Sequence, residues 1–223
     1  MTFSILVRDA KTGAIGGAAT TGSLCVGGWV LRGDLRAGMS ASQGASPSTF
    51  WGEDTLTAMK NGASAQEALA GVIDPDTGRE DRQLAALDLH GGTAHFTGSG
   101  NTGAAGGIAF ENGVVAGNIL ASLNVLSAVR DGFAVAEGTI ESRLIAALRA
   151  GAAAGSDTRG LQSAALLVLR PNTAPITLRI DYHDSDPIGA LEALYARATS
   201  GDYAHWARQV PSLNDPYRGL DQS

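Results

Sequence analysis

The chain of 223 residues carries 16 Lys+Arg against 22 Asp+Glu, a formal charge of −6, which excludes the basic surface a nucleic-acid-binding protein needs to neutralise phosphates. Apolar residues make up 44% and charged residues 17%, the balance of a globular chain long enough to bury a core rather than of a disordered or fibrous one. The single cysteine, Cys25, excludes an internal disulfide and any C-x-x-C zinc spacing, while 30 glycines and abundant Ala point to tight turns and closely stacked layers.

The start, Met1-Thr2-Phe3-Ser4-Ile5-Leu6-Val7, has no basic region and an apolar run too short for a signal peptide. Nowhere do about 18 apolar residues run together, so a cytoplasmic protein with no membrane partner is expected. Thr2 to Val7 is rich in β-formers, and Arg8-Asp9-Ala10-Lys11-Thr12-Gly13 reads as the turn to a second strand, Ala14 to Thr20. This hairpin places the N-terminal residues at the end of a strand in a sheet. The Gly-broken stretch Val26 to Gln43 ends in a further buried strand, Gly38 to Gln43.

From Ser48 the period becomes helical, with Phe50, Leu56, Met59 and Ala63 near one face and a stop at Asn61-Gly62. Ser64-Ala65-Gln66-Glu67 is a capping box opening a second helix that runs to Asp74-Pro75. Strands follow at Gln83 to Leu89, Thr93 to Thr97, Gly106 to Phe110 and Val114 to Leu120, read as one meander. Two helices, Leu123 to Ala136 and Thr139 to Ala153, precede a pair of strands, Ala164 to Leu169 and Ile176 to Ile180. Asp186 as N-cap and Pro187 at the first position then start a helix from Ile188 to Thr199, followed by irregular, aromatic-bearing sequence through Tyr203, Trp206 and Tyr217. Grouped strands and grouped helices predict an α+β fold of stacked layers with antiparallel sheets, not βαβ units. Residues 1–195 read as one domain and 196–223 as an extension that packs on the domain or on a partner subunit.

Several motifs have a local look of chemistry and fail their context. Gly98-Ser99-Gly100-Asn101-Thr102-Gly103 spells G-x-G-x-x-G, but a strand rather than a helix follows, and no acidic residue stands about 20 positions on. The acids of Asp181 to Asp186 suit a helix N-terminus better than a cation, and the four histidines show no metal spacing. There is no G-x-S-x-G elbow, S-x-x-K or Walker loop, and the only lysines are Lys11 and Lys60. No metal or cofactor is expected. Thr2 remains: with Met1 removed, its hydroxyl would stand beside its own α-amine, whose pKa of about 8 lets one residue supply both nucleophile and base.

The opening Thr2-Phe3-Ser4-Ile5 with Arg8-Asp9 and Thr12-Gly13 resembles the domain of unknown function numbered 1028, a bacterial family placed among the Ntn (N-terminal nucleophile) hydrolase-like proteins. Ser42-Gln43, Arg82-Gln83, Thr97-Gly98, Gly117-Asn118 with Leu120, Asp157 to Ala165 and Arg179-x-Asp181-x-His183 continue the resemblance in order, over about residues 2 to 195. The resemblance implies a four-layer αββα sandwich like the proteasome β-subunit. It implies Thr2 as nucleophile, Gln43 and Gly44 amides as the oxyanion hole, and Asp157 as the aspartate that orients the nucleophile. Arg82, Asn118, Arg159, Gln162 and Ser163 would bind substrate, a bidentate Arg suiting a carboxylate. The chain departs from proteasomes in having no lysine in the second-sheet strand and in placing Thr20-Thr21 where they carry an aspartate. The expected function is an amidohydrolase acting on a small amide or short peptide, in a homodimer or larger homo-oligomer. The alternative is a non-catalytic dimeric module that binds a small metabolite in the same cleft through Arg82, Asn118 and Arg159.

Overall fold

A computed structural model describes residues 2–155 and 160–220. The opening hairpin is β1 (Thr2–Arg8) and β2 (Ile15–Thr21), closed by Asp9, whose carboxylate accepts from the Lys11 amide and the Thr12 hydroxyl. After β2 the chain makes one helical turn, α1 (Val26–Trp29), and enters β3 (Leu31–Asp34) and β4 (Gly38–Gly44). Then come α2 (Thr49–Lys60), capped by Ser48, and α3 (Ala65–Ile73), whose Ser64 and Glu67 form the reciprocal capping box. Strands β5 (Arg82–Asp88), β6 (Thr93–Thr97), β7 (Ala104–Phe110) and β8 (Gly113–Leu120) precede α4 (Asn124–Val135) and α5 (Ile140–Ala153). The chain closes with β9 (Ser163–Leu169), β10 (Ile176–Ile180), α6 (Pro187–Ala198) and α7 (Gly201–Ala207).

The strands make two sheets, antiparallel in every pairing. One has the order β10-β9-β2-β1-β8-β7 and the other β3-β4-β5-β6. The period of two on β1 divides its residues between two faces. Phe3, Ile5 and Val7 point into a core shared with α4, α5 and α6, while Leu6 points into a second core between the sheets. A third core packs Trp51, Met59, Leu69 and Ile73 of α2 and α3 against Leu84 and Ala86, on the outer face of the smaller sheet. The inter-sheet core is built from small side chains, Ala19, Ala41, Ala85 and Ala116, around Leu6, Met39 and Leu87. That is where the Ala and Gly surplus goes, because small residues let two sheets close tightly.

Three expectations change. The meander divides: β5 and β6 belong to the small sheet, β7 and β8 to the large one. The Gly98–Gly103 segment makes the crossing, and at Gly98 a Cβ would lie 2.4 Å from the Arg79 and Glu80 carbonyl oxygens, so its glycine serves backbone approach. Phe50 is 72% exposed, and α2 instead buries Trp51, Thr55 and Met59. The tail contains a helix, α7, and its later residues return to the body, with the Asn214 amide donating to the Pro171 carbonyl at 2.8 Å. No helix among the described residues is long and apolar enough to cross a membrane.

One ion pair ties the helical layer to the sheet. Glu141, in the first turn of α5, is almost fully buried and is gripped by both terminal nitrogens of Arg170, one of them at 2.9 Å. Burial pushes the Glu141 carboxyl up, but the Arg170 hydrogen bonds and charge outweigh it and hold the carboxyl below its ordinary 4.5. A carboxyl depressed in the folded state stabilises the fold above its unfolded pKa, and the contribution is lost as pH falls through the folded value. Denaturant titrations between about pH 7 and about pH 3 should therefore show stability falling from about pH 4.5 downward. Glu141→Gln should lower stability at neutral pH and flatten that fall; an unchanged slope would remove Glu141 from the acid response.

Candidate functional site

At one end of the inter-sheet core the apolar side chains stop and polar ones begin. On the large sheet Thr21, Thr2 and Asn118 stand side by side in register, and on the small sheet Gln43, Gln83 and Thr97 do the same. Gln83 is the hub. Its Oε1 accepts from Gln43 Nε2 at 2.6 Å and Asn118 Nδ2 at 3.1 Å. Its Nε2 faces Thr97 Oγ1 at 2.8 Å and the carbonyls of Gly117 at 2.8 Å and Gly106 at 3.1 Å. Gln43, Gln83 and Asn118 are each at most 1% exposed, so these bonds form in a low-dielectric gap where an unmade one is expensive. Two buried oxygens nearby, Ser4 Oγ and Gln43 Oε1, have no partner among the described residues.

Beside this network lies a cleft of about 520 Å³. Thr2, Thr21 and Gln43 form its floor, with Thr2 Oγ1 at 2.9 Å from Thr21 Oγ1. Ser23 to Val30 makes one wall and Gly44 to Pro47 the other. The first wall is bonded in place from behind: Ser163 Oγ donates to the Ser23 carbonyl at 2.7 Å and accepts the Val26 amide at 3.1 Å, and the Cys25 amide donates to the Asp181 carbonyl at 2.9 Å. α1 presses on the sheet at Gly27, where a Cβ would lie 2.7 Å from Ala165 and from the Arg179 stem. The Arg179 guanidinium is itself fixed to Asp181 at 2.8 Å.

The second wall turns at Gly44, where a φ of +133° and the 2.7 Å at which a Cβ would lie from the Asp81 carbonyl oxygen require glycine. The Ala45 amide donates to Asn101 Oδ1 at 3.1 Å and the Ser46 amide to the Asp81 carbonyl at 3.0 Å. Behind them Arg82 donates through Nε to Asp76 at 2.8 Å and through Nη1 to the Ser46 carbonyl, with its guanidinium over the Trp51 ring. The Arg82 hydrogen bond holds the Asp76 carboxyl below its ordinary value.

Of the residues singled out in the sequence, Thr2, Gln43 and Gly44 meet at this cleft. Arg82, Asn118 and Ser163 are engaged in bonds that build its walls and floor, and the Gln162 backbone extends the sheet, its amide donating to the Thr21 carbonyl at 2.8 Å. Asp157 and Arg159 lie outside the described residues. Sequence reasoning missed Gln83 as the hub, although an amide opening the apolar run Leu84 to Leu87 is a readable signal of a buried polar contact. It also missed Ser23, Trp29 and Ser46, for which no local pattern exists. The acids of the 181–186 segment are engaged elsewhere: Asp181 with Arg179, and Asp186 capping α6 through the Gly189 amide at 2.7 Å.

A family model described as a family of unknown function (DUF1028) matches residues 2–191. No curated protein matches the chain. Among solved structures, the chain is similar to the crystal structure of a protein from Silicibacter pomeroyi assigned to the same family, with 58% identity and a TM-score of 0.96 over 100% of this chain and 96% of that one.

The polar network predicts opposite signs for two substitutions. Gln83→Leu keeps the volume but strips five partners of their bonds, and urea titration should show a loss of about 3 kcal/mol. Ser4→Ala removes a buried hydroxyl that has no partner among the described residues and should raise stability by about 1 kcal/mol. A neutral Gln83→Leu would mean that the sheets are held at this end by something other than the amide bonds.

Proposed function

The chain belongs to the DUF1028 family, a family of unknown function, and from the cleft at the end of β1 we propose that it is an Ntn-type amide hydrolase working through Thr2. The observation that carries the reading is the meeting of the Thr2 hydroxyl and the Gly44 backbone in one preformed cleft. The stack of helices, two antiparallel sheets and helices supports an Ntn-hydrolase-like sandwich.

Removal of Met1 gives Thr2 a free α-amine, which takes the hydroxyl proton as Oγ attacks the substrate carbonyl. The carbonyl π electrons move to oxygen, and the oxyanion is held by a backbone N–H. Strand alternation selects which one. The Ser42 amide donates outward to the Val30 carbonyl at 3.1 Å, so the Gly44 amide two residues on faces the same way, past the start of β3 and into the cleft. Gln43 alternates to the other side, toward β5, and contributes through its side chain to the floor. Collapse of the oxyanion breaks the C–N bond, the leaving amine takes the proton from the α-ammonium, and an ester on Thr2 remains. Water then attacks the ester, with the amine again as base, and releases a carboxylic acid. Thr21 stands beside the nucleophile in place of an acidic group and fixes its rotamer through the 2.9 Å contact.

The test compares protein lacking Met1, verified by intact mass, with its Thr2→Ala and Thr2→Ser variants on a panel of amides and short peptides. Hydrolysis should fall about 10³-fold or more in Thr2→Ala and persist in Thr2→Ser. An activated ester should add one acyl mass to the N-terminal peptide. Equal rates for processed protein and Thr2→Ala would end the assignment.

A further inference from the structure

The lining of the cleft is sorted by chemistry. Its floor carries the hydroxyls of Thr2 and Thr21, whereas the wall from Ser23 to Val30 exposes Leu24 and Trp29 over the buried Val26 and Val30, faced by Pro47. Leu24 is 52% and Trp29 51% exposed, so two large apolar side chains stand half bare on a segment that Ser163, Asp181 and Arg179 hold rigid from behind. A flexible loop could fold such groups away; this one cannot, because α1 sits on β9 and β10 through Gly27 and Gly28 with no room to move inward. Of the two arginines that the family resemblance assigns to substrate, Arg82 lies behind the opposite wall, bonded to Asp76 and to the Ser46 carbonyl, and Arg159 lies outside the described residues. Among the described residues no charged side chain lines the cleft.

We propose that this site selects a substrate carrying an apolar group beside the scissile carbonyl, of leucyl to phenylalanyl size, and that Trp29 is its specificity-determining residue. The inference rests on the hydrolase reading only for where the carbonyl sits; the apolar wall acts in binding and is testable without turnover. The group lies against the indole and Leu24, and the amide polar atoms stay over the hydroxyl floor. Burial of an aromatic face against Trp29 strengthens binding about tenfold relative to a substrate without the side chain.

The probes are N-acetyl-phenylalaninamide, N-acetyl-glycinamide and N-acetyl-aspartic acid α-amide, whose side-chain carboxylate is free, titrated calorimetrically into the Thr2→Ala protein lacking Met1, which binds without turning over. The phenylalanine compound should bind at least about tenfold more tightly than the glycine compound and than the aspartate compound. Trp29→Ala should remove the preference for phenylalanine while leaving glycinamide affinity unchanged, and Trp29→Phe should restore most of it. Tighter binding of the acidic probe, selectivity unchanged in Trp29→Ala, or no binding of the phenylalanine probe at millimolar concentration would each overturn the proposal. Selective binding with no hydrolysis by the processed wild type would keep the apolar site and sink the hydrolase reading; hydrolysis with an acidic preference would do the reverse.

Discussion

The buried amide of Gln83 is the contact on which the geometry of this molecule turns. Between the sheets the core is thin, lined by Ala19, Ala41, Ala85 and Ala116, and alanines allow close approach without dictating alignment. At the polar end one side chain reaches across and bonds with both sheets at once, to Gln43 and Thr97 on its own and to Asn118, Gly106 and Gly117 on the other. Directional bonds between buried groups tolerate little sliding, so alignment is set there. Thr2 pairs directly with Asn118, and the position of the N-terminal strand end is thereby tied to the opposite sheet.

The cleft beside that network is made from the outside inward. Its walls are short irregular segments whose amides are bonded to residues far away in sequence: Ser163 and Asp181 behind one, Asn101 and Asp81 behind the other. A cleft with walls held in this way would lose little conformational freedom on binding a ligand. Glycine makes the arrangement possible at Gly27 and Gly44, where the backbone must lie closer to its neighbour than a side chain permits.

Among the described residues, charged side chains act outside the cleft lining. Arg82 with Asp76 and Arg179 with Asp181 each brace an element behind the site, and Arg170 with Glu141 ties α5 to the far end of the large sheet. The cleft itself presents hydroxyls, backbone and apolar surface among its described residues. That division suits chemistry in which the base belongs to the nucleophilic residue itself, because no second titrating side chain has to be poised nearby.

What could be read from the sequence is what local chemistry controls. The Asp9 turn, the Ser64–Glu67 box and the Asp186–Pro187 helix start all appear where residue type within four positions dictates backbone conformation. Stacked layers with antiparallel sheets were also legible, from grouped strands and grouped helices; that two sheets stack on each other came only from the family resemblance. Which sheet takes β6 and which takes β7 was not legible, because hairpin signals look alike whether the next strand continues a sheet or crosses to another. Nor could residue type reveal that Arg82 bonds to Asp76 and Ser46, or that α1 is wedged onto β9 and β10 so that Trp29 faces a cleft. Those outcomes depend on contacts between segments tens of residues apart, and only the closed tertiary packing brings such partners within bonding distance.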